Sequence, residues 1–227
     1  MNAAFLINSG AEAVENAIKI AMRMRKKAKF GISFENAFHG RTIGALSLTN
    51  SKVIHKKNFF SIPMRRLPYN ESAIIKLENL IKREISPEEI AFIIMEPVQG
   101  EGGYNFPSQK MVNDLANFCK SQGIPFIADE VQTGLGRTGK WWAMEHYGVV
   151  PDIMSSAKAL QVGAVISNRK NFPESGSISS TWGGGDAINL AIGIEIIKKI
   201  RRSNLLNHIN HAGEYLIVWY GVPHHHL

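Results

Sequence analysis

The sequence predicts an α/β fold with a mainly parallel sheet flanked by helices, and three observations predict it. Short apolar runs alternate with segments of helical period along most of the chain. Between Ile90 and Asp129 a strand, an amphipathic helix and a second strand follow one another, and the second ends on a carboxylate. The third is composition: 227 residues with 44% apolar, 20% charged and 9% aromatic content are ordinary for one generous globular domain, and no repeat or low-complexity linker interrupts them.

In chain order, residues 3–7 form the first apolar run and Asn8-Ser9-Gly10 turns the chain. Val14, Ala17, Ile18, Ala21 and Met22 then recur at helical spacing. Ser9 and Glu12 stand three apart as a capping box, which starts that helix at a definite place. Ile90–Met95 predicts a strand, Gln109–Gln122 an amphipathic helix, and residues 124–128 a strand running into Asp129-Glu130-Val131. A short strand around Ile153 leads to Ser155-Ser156-Ala157-Lys158, and residues 162–167 read as its hairpin partner. Pro151 and Gly183 to Gly185 mark loops, and residues 186–200 read as a largely buried helix.

Composition narrows the function classes. A single cysteine, Cys119, rules out an internal disulfide and a Cys-rich zinc module, which suits a reducing compartment. Apolar runs such as Ile90–Met95 are far shorter than the roughly 20 residues of a membrane span. The N-terminus has no basic region followed by an apolar signal core, so a cytoplasmic protein with no membrane partner is expected. The formal charge of +7, from 26 basic and 19 acidic residues, could serve an anionic partner or only solvate the surface. The basic residues fall in separate short runs without interleaved aromatics, which makes nucleic-acid binding the weaker reading. No metal site is expected, and His224, His225 and His226 in the tail are set aside from function.

Open α/β sheets bind ligands beyond the carboxyl ends of their strands, so polar residues there come first. The Asn8-Ser9-Gly10-Ala11 turn precedes a helix N-terminus that either receives an anion such as phosphate or is simply capped. Asp129, if buried, must meet a cation or hydrogen-bond donors, and structural pairing is equally open. Lys158 alone is a surface charge unless a carbonyl compound partners it. Taken together, an aspartate for a pyridinium nitrogen, a lysine for a Schiff base and a helix N-terminus for a phosphate are a protein's share of pyridoxal-phosphate chemistry.

The wording of the motifs agrees. Asn8-Ser9-Gly10-Ala11-Glu12-Ala13-Val14-Glu15, Phe38-His39-Gly40-Arg41-Thr42, Glu96-Pro97-Val98-Gln99-Gly100-Glu101-Gly102-Gly103, Asp129-Glu130-Val131-Gln132-Thr133-Gly134 and Ala157-Lys158 resemble class III (ω-amino-acid) aminotransferases. They stand in that family's order and cover the chain through about Tyr215. The resemblance implies the large domain of a fold-type I, pyridoxal 5′-phosphate-dependent transferase. It implies that Lys158 holds the cofactor as a Schiff base and shuttles the proton, while Asp129 keeps the pyridine nitrogen protonated. Gln132 would bond the phenolic oxygen, Phe38 would stack on the ring, and Gly10 and Ala11 would offer N–H groups to the phosphate. Thr181 would reach the phosphate of the other subunit of a homodimer. Arg41 would hold the carboxylate remote from the reacting amine, a task suited to a bidentate guanidinium. Glu101 would be the switch that masks a second arginine until 2-oxoglutarate needs it. Glu96 would belong to the hydrogen-bonded support around the ring, and His39 would be supporting rather than catalytic.

Departures from the family pattern bear on substrate and extent. Residues 159–164 are shorter than the family's glycine-rich stretch, and Trp182 with residues 183–186 leans toward the 4-aminobutyrate or lysine side. Residues 1–205 are expected to form the cofactor-binding large domain without its N-terminal part. Residues 206–227 are expected to be a remnant of the link to a small C-terminal domain plus a tail, 217–227, outside the resemblance. The small domain would carry the second carboxylate-binding arginine. The expected function is amino transfer from an ω-amino acid such as 4-aminobutyrate to a 2-oxo acid; the alternative is a catalytically silent fragment that binds cofactor or dimerises.

Overall fold

The computed structural model describes residues 1–179 and 185–220. Along the chain run β1 (Ala3–Ile7), α1 (Gly10–Met24), β2 (Phe30–Phe34), α2 (Ile43–Leu48), the single turn α3 (Val53–Lys56), β3 (Met64–Leu67), α4 (Ser72–Arg83) and β4 (Ile90–Met95). There follow α5 (Gln109–Gln122), β5 (Phe126–Asp129), β6 (Ile153–Ser156), β7 (Gly163–Ser167), α6 (Ala187–Arg202) and α7 (Leu205–Tyr220).

Seven strands make one sheet in the order β1-β7-β6-β5-β4-β2-β3. The five from β3 to β6 are parallel, whereas β7 runs against β6 and β1 runs against β7. The two reversals cancel. β1 therefore points the same way as the parallel strands, and every strand but β7 delivers its carboxyl end to one side of the sheet.

Both faces of the sheet are covered. Phe34, Leu67, Ile93, Met95 and Phe126 pack with Leu77 of α4 and Leu115 of α5 on one face. Phe92, Ile94, Ile127, Ile153 and Val165 pack with Val14, Ala17 and Ala21 of α1 and Leu48 of α2 on the other. β4 contributes to both, which is why its sequence reads as an unbroken apolar run rather than an alternation. Burying two such layers is the main favourable term for a sheet of this kind.

Two expectations need correction. Ser9 does cap α1, accepting the Glu12 N–H at 3.2 Å, but the Glu12 carboxylate accepts from the Ser9 hydroxyl at 2.9 Å. The carboxylate is thereby engaged on the side chain, so the capping box takes a different form from the one expected. α6 is not largely buried: only Gly193 and Ile200 are, and Ile188 is 70% exposed with Ile192 and Ile194 also at the surface. Its apolar composition exceeds what α7 and the Leu160 loop cover within this chain. No helix among the described residues is long and apolar enough to cross a membrane.

Candidate active site

The common carboxyl end of the strands opens into a cavity of about 1650 Å³. Gly10, Ala11, Phe38, Arg41, Glu96, Glu101, Asp129, Gln132 and Lys158 all line it, while Thr181 lies outside the described residues. Five chain segments far apart in sequence thus meet at one place.

At the first segment, β1 ends and α1 begins against the exits of β5 and β6. A Cβ on Gly10 would stand 2.7 Å from a Val131 methyl, so only glycine permits this approach. Ser9 accepts the N–H groups of Glu12 and Ala13, and helix geometry gives Gly10 and Ala11 no intrahelical acceptor. These N–H groups and the helix dipole make the turn attractive to an anion.

Asp129 closes β5 and is 4% exposed. Its Oδ1 accepts from the Ser155 hydroxyl at 2.9 Å and from the Val131 N–H at 3.1 Å, and its Oδ2 meets Nδ1 of His39 at 2.7 Å. A carboxylate has about four acceptor positions. Three are used, so the structural pairing left open by the sequence exists and still leaves one position for a ligand. His39 is buried, and its Nε2 has no partner among the described residues. The adjacent Glu130 is wholly structural: it accepts from Thr133, Ala143 and Met144 and ties down the loop beyond β5.

Lys158 follows β6, and its amine donates to the side-chain carbonyl of Gln132. Glu96, just past β4, is 6% exposed and accepts the Phe38 N–H at 2.9 Å, so it fixes the backbone of the ring that faces the cavity. Burial, with the negative Asp129 nearby, pushes the Glu96 carboxyl up to about 7, against the opposing pull of His39. Glu101 pairs with Lys52 at 3.1 Å; that bond, with His55 and Lys158 nearby, holds its carboxyl below the usual range. Arg41 is exposed at the cavity wall.

Some residues escaped sequence reasoning. Ser155 supports Asp129 from the neighbouring strand, where Asp129 and Ser155 are paired in register. Lys52 meets Glu101, and His55 sets its ring at 5.6 Å, edge to face, from that of Phe38. Ser155 stands in the stretch Ser155-Ser156-Ala157-Lys158 at the end of β6, whereas no local pattern announces Lys52 or His55.

Chemically, the cavity combines an amine, a buried carboxylate with a spare acceptor position, an anion-seeking helix start and an exposed guanidinium. Comparison with known proteins bears on that combination. The pattern of the family described as "Aminotransferase class-III" matches residues 2–218. A probable 4-aminobutyrate aminotransferase of Bacillus subtilis is 40% identical over 72% of this chain and 41% of its own length. An acetylornithine aminotransferase of Methanosarcina acetivorans is 39% identical over 96% of the chain and 54% of its own. Among solved structures, a lysine aminotransferase from M. tuberculosis superposes with a TM-score of 0.84 at 29% identity, covering 95% of this chain and 56% of that one. The ornithine aminotransferase from Toxoplasma gondii, described with partial occupancy of PLP at its active site, gives 0.84 at 30%, over 94% and 53%. The chain spans about half the length of the curated relatives it matches. With this match along nearly its whole length and the mixed sheet of a fold-type I large domain, the chain belongs to the class III aminotransferase family.

Proposed function

We propose that this chain is the cofactor-binding part of an enzyme that moves an amino group from an ω-amino acid of the 4-aminobutyrate kind to a 2-oxo acid such as 2-oxoglutarate, using pyridoxal 5′-phosphate. The observation that carries this reading is the meeting of Lys158, Gln132, Asp129 and the Gly10 turn in one cavity. The residues fit the cofactor. Lys158 and Gln132 touch, as groups serving its adjacent aldehyde and phenol must. Asp129 keeps an acceptor position for the ring nitrogen, and the glycine that a Cβ would fill stands at the phosphate end.

When bound, pyridoxal phosphate supplies an aldehyde that links to amines and a protonated ring that takes up the electron pair left by a departing C–H proton. Lys158 Nζ would hold the aldehyde and, once displaced by the incoming amine, would carry the proton from the substrate carbon to what was the aldehyde carbon. Asp129, oriented by Ser155, Val131 and His39, would keep a proton on the ring nitrogen. Gln132 would bond the phenol side and Phe38 would stack on the ring, with Glu96 accepting the Phe38 N–H. Gly10 and Ala11 would bind the phosphate, Arg41 would bind the distal carboxylate, and Glu101 would be the switch that masks a second arginine.

The same reading assigns residues 1–205 to the cofactor domain and 206–227 to the start of a link and tail, and makes the partner a second copy that contributes Thr181 to the phosphate. Apolar surface supports a partner: Phe60 is 95% exposed, beside Phe59 at the cavity. The deciding experiment adds pyridoxal phosphate to the purified chain, reduces with borohydride and maps the labelled peptide. Label on Lys158 is expected, and label elsewhere, or none on folded protein, overturns the assignment. Assay with 4-aminobutyrate, ornithine and lysine against 2-oxoglutarate then separates an active chain from a silent one.

A further inference from the structure

Glu15 closes the first of the sequence motifs, yet it lines no part of the cavity. From the second turn of α1 it reaches across to α2. Its Oε1 accepts from the Thr42 hydroxyl at 2.6 Å and from the N–H groups of Gly44 and Ala45 at 2.7 and 3.1 Å. A helix start normally satisfies those N–H groups with the side chain of its own N-cap residue. Thr42 is the N-cap of α2 but makes no such bond, because its hydroxyl is turned to Glu15. One helix therefore caps the other, with charge-assisted bonds to an anion placed at the positive end of a dipole.

The sequence is fitted to this arrangement. A Cβ on Gly44 would stand 2.2 Å from Glu15 Oε2, so the carboxylate occupies the space a side chain would take. On the other side of Arg41, Gly40 has φ +125, and a Cβ there would lie 2.7 Å from the Ala11 Cβ. Arg41 thus rides on a short segment clamped to α1 at both ends: Gly40 against the phosphate turn, and Thr42 to Ala45 on Glu15.

We infer that Glu15 is a positioning residue for Arg41. By fixing the Arg41 backbone to the helix whose start forms the anion-seeking turn, it sets the span between amine and carboxylate that the site accepts. This rests on the reading of Arg41 as the carboxylate holder. Without Glu15 the guanidinium remains, but the cap of α2 opens and the distance it enforces is lost.

The test compares wild type, Glu15→Ala, Glu15→Gln and Arg41→Gln, each loaded with pyridoxal phosphate. Apparent affinities for 3-aminopropionate, 4-aminobutyrate, 5-aminovalerate and n-butylamine are read from the cofactor absorbance, and amide exchange of residues 40–48 is followed without cofactor. Glu15→Ala is expected to exchange faster there and to lose about tenfold in preference for the best ω-amino acid over n-butylamine, with the length preference flattened. Glu15→Gln, which keeps an acceptor oxygen, is expected to retain most of both, and n-butylamine affinity should not change. Should Glu15→Ala not fold, Glu15→Asp, one carbon too short for all three bonds, takes its place with the same expectation. Wild-type preference in the Ala or Asp variant, alongside its loss in Arg41→Gln, overturns the role of Glu15 alone. Wild-type preference in Arg41→Gln overturns the carboxylate assignment and this inference with it.

Discussion

Replacing Glu96 with glutamine tests whether the buried carboxyl behind Phe38 is held neutral by the fold. Glu96 is 6% exposed, and desolvation with the nearby Asp129 raises its carboxyl from 4.5 to about 7. The folded chain therefore keeps a proton over this interval that the unfolded chain releases. Its contribution is fully present below the ordinary glutamate value and is lost as pH rises to about 7. At about 1.4 kcal/mol per tenfold in proton concentration, the interval amounts to about 3 kcal/mol. Glutamine has the same shape, keeps an oxygen for the Phe38 N–H and cannot ionise. Urea unfolding of both proteins without added cofactor, from pH 5 to pH 8, should show the variant gaining about 2 to 3 kcal/mol on wild type as pH rises. Parallel stability curves would refute the reasoning, since they would mean that Glu96 is ionised in the fold at pH 5 with its charge compensated by His39.

Three further outcomes are expected. Asp129→Ala should slow exchange of the amine substrate's transferable C–H with deuterated water by about a hundredfold or more while pyridoxal phosphate still binds through Gly10 and Ala11; an unchanged exchange rate would remove the electron-sink role. Gly163→Ala would put a Cβ 2.4 Å from the Ser9 carbonyl oxygen, so it should cost about 1 to 3 kcal/mol in stability and weaken pyridoxal phosphate binding, and wild-type affinity by absorbance titration would count against the packing argument. Phe60→Lys places a charge on a side chain that is 95% exposed and should shift a self-associating chain toward monomer in sedimentation equilibrium; identical profiles would move the partner surface elsewhere.

What could be read in the sequence was whatever is written locally. The strand at Ile90–Met95 and the helix at Gln109–Gln122 stand at their expected bounds, the first because both its faces are buried and the second because Ser108 caps it. β3 escaped because it is an edge strand carrying Arg65 and Arg66, and the Arg66 guanidinium is spent on Ser33 and the Ser47 carbonyl rather than on water. α6 misled for the opposite reason: apolar composition reports what a helix eventually packs against, and this chain alone does not cover it. In the site, the motif residues were legible, His39 and Glu96 among them as supports, but the contacts between them were not, since His39 reaches Asp129 across ninety positions and Lys52 reaches Glu101 across forty-nine.

The order of the sheet explains why these motifs can act together. β4, β5 and β6 are adjacent, so Glu96, Asp129 and Lys158 emerge side by side at the roughly 4.8 Å spacing of neighbouring strands. The anion-seeking turn starts two strands away from β6, beyond β7. What closes that distance is α1, which packs across β4, β6 and β7 and carries its N-terminus over their ends. Gly10 then lets the turn settle against Val131 and Ala157, and Gly163 at the start of β7 lets it settle against Ser9. On the proposed reading the phosphate end of the site is thus keyed to the loops that carry Gln132 and Lys158, and any side chain at either glycine must move the turn relative to the Lys158 amine. Placement of the chemistry therefore depends as much on two residues that have no side chain as on those that perform it.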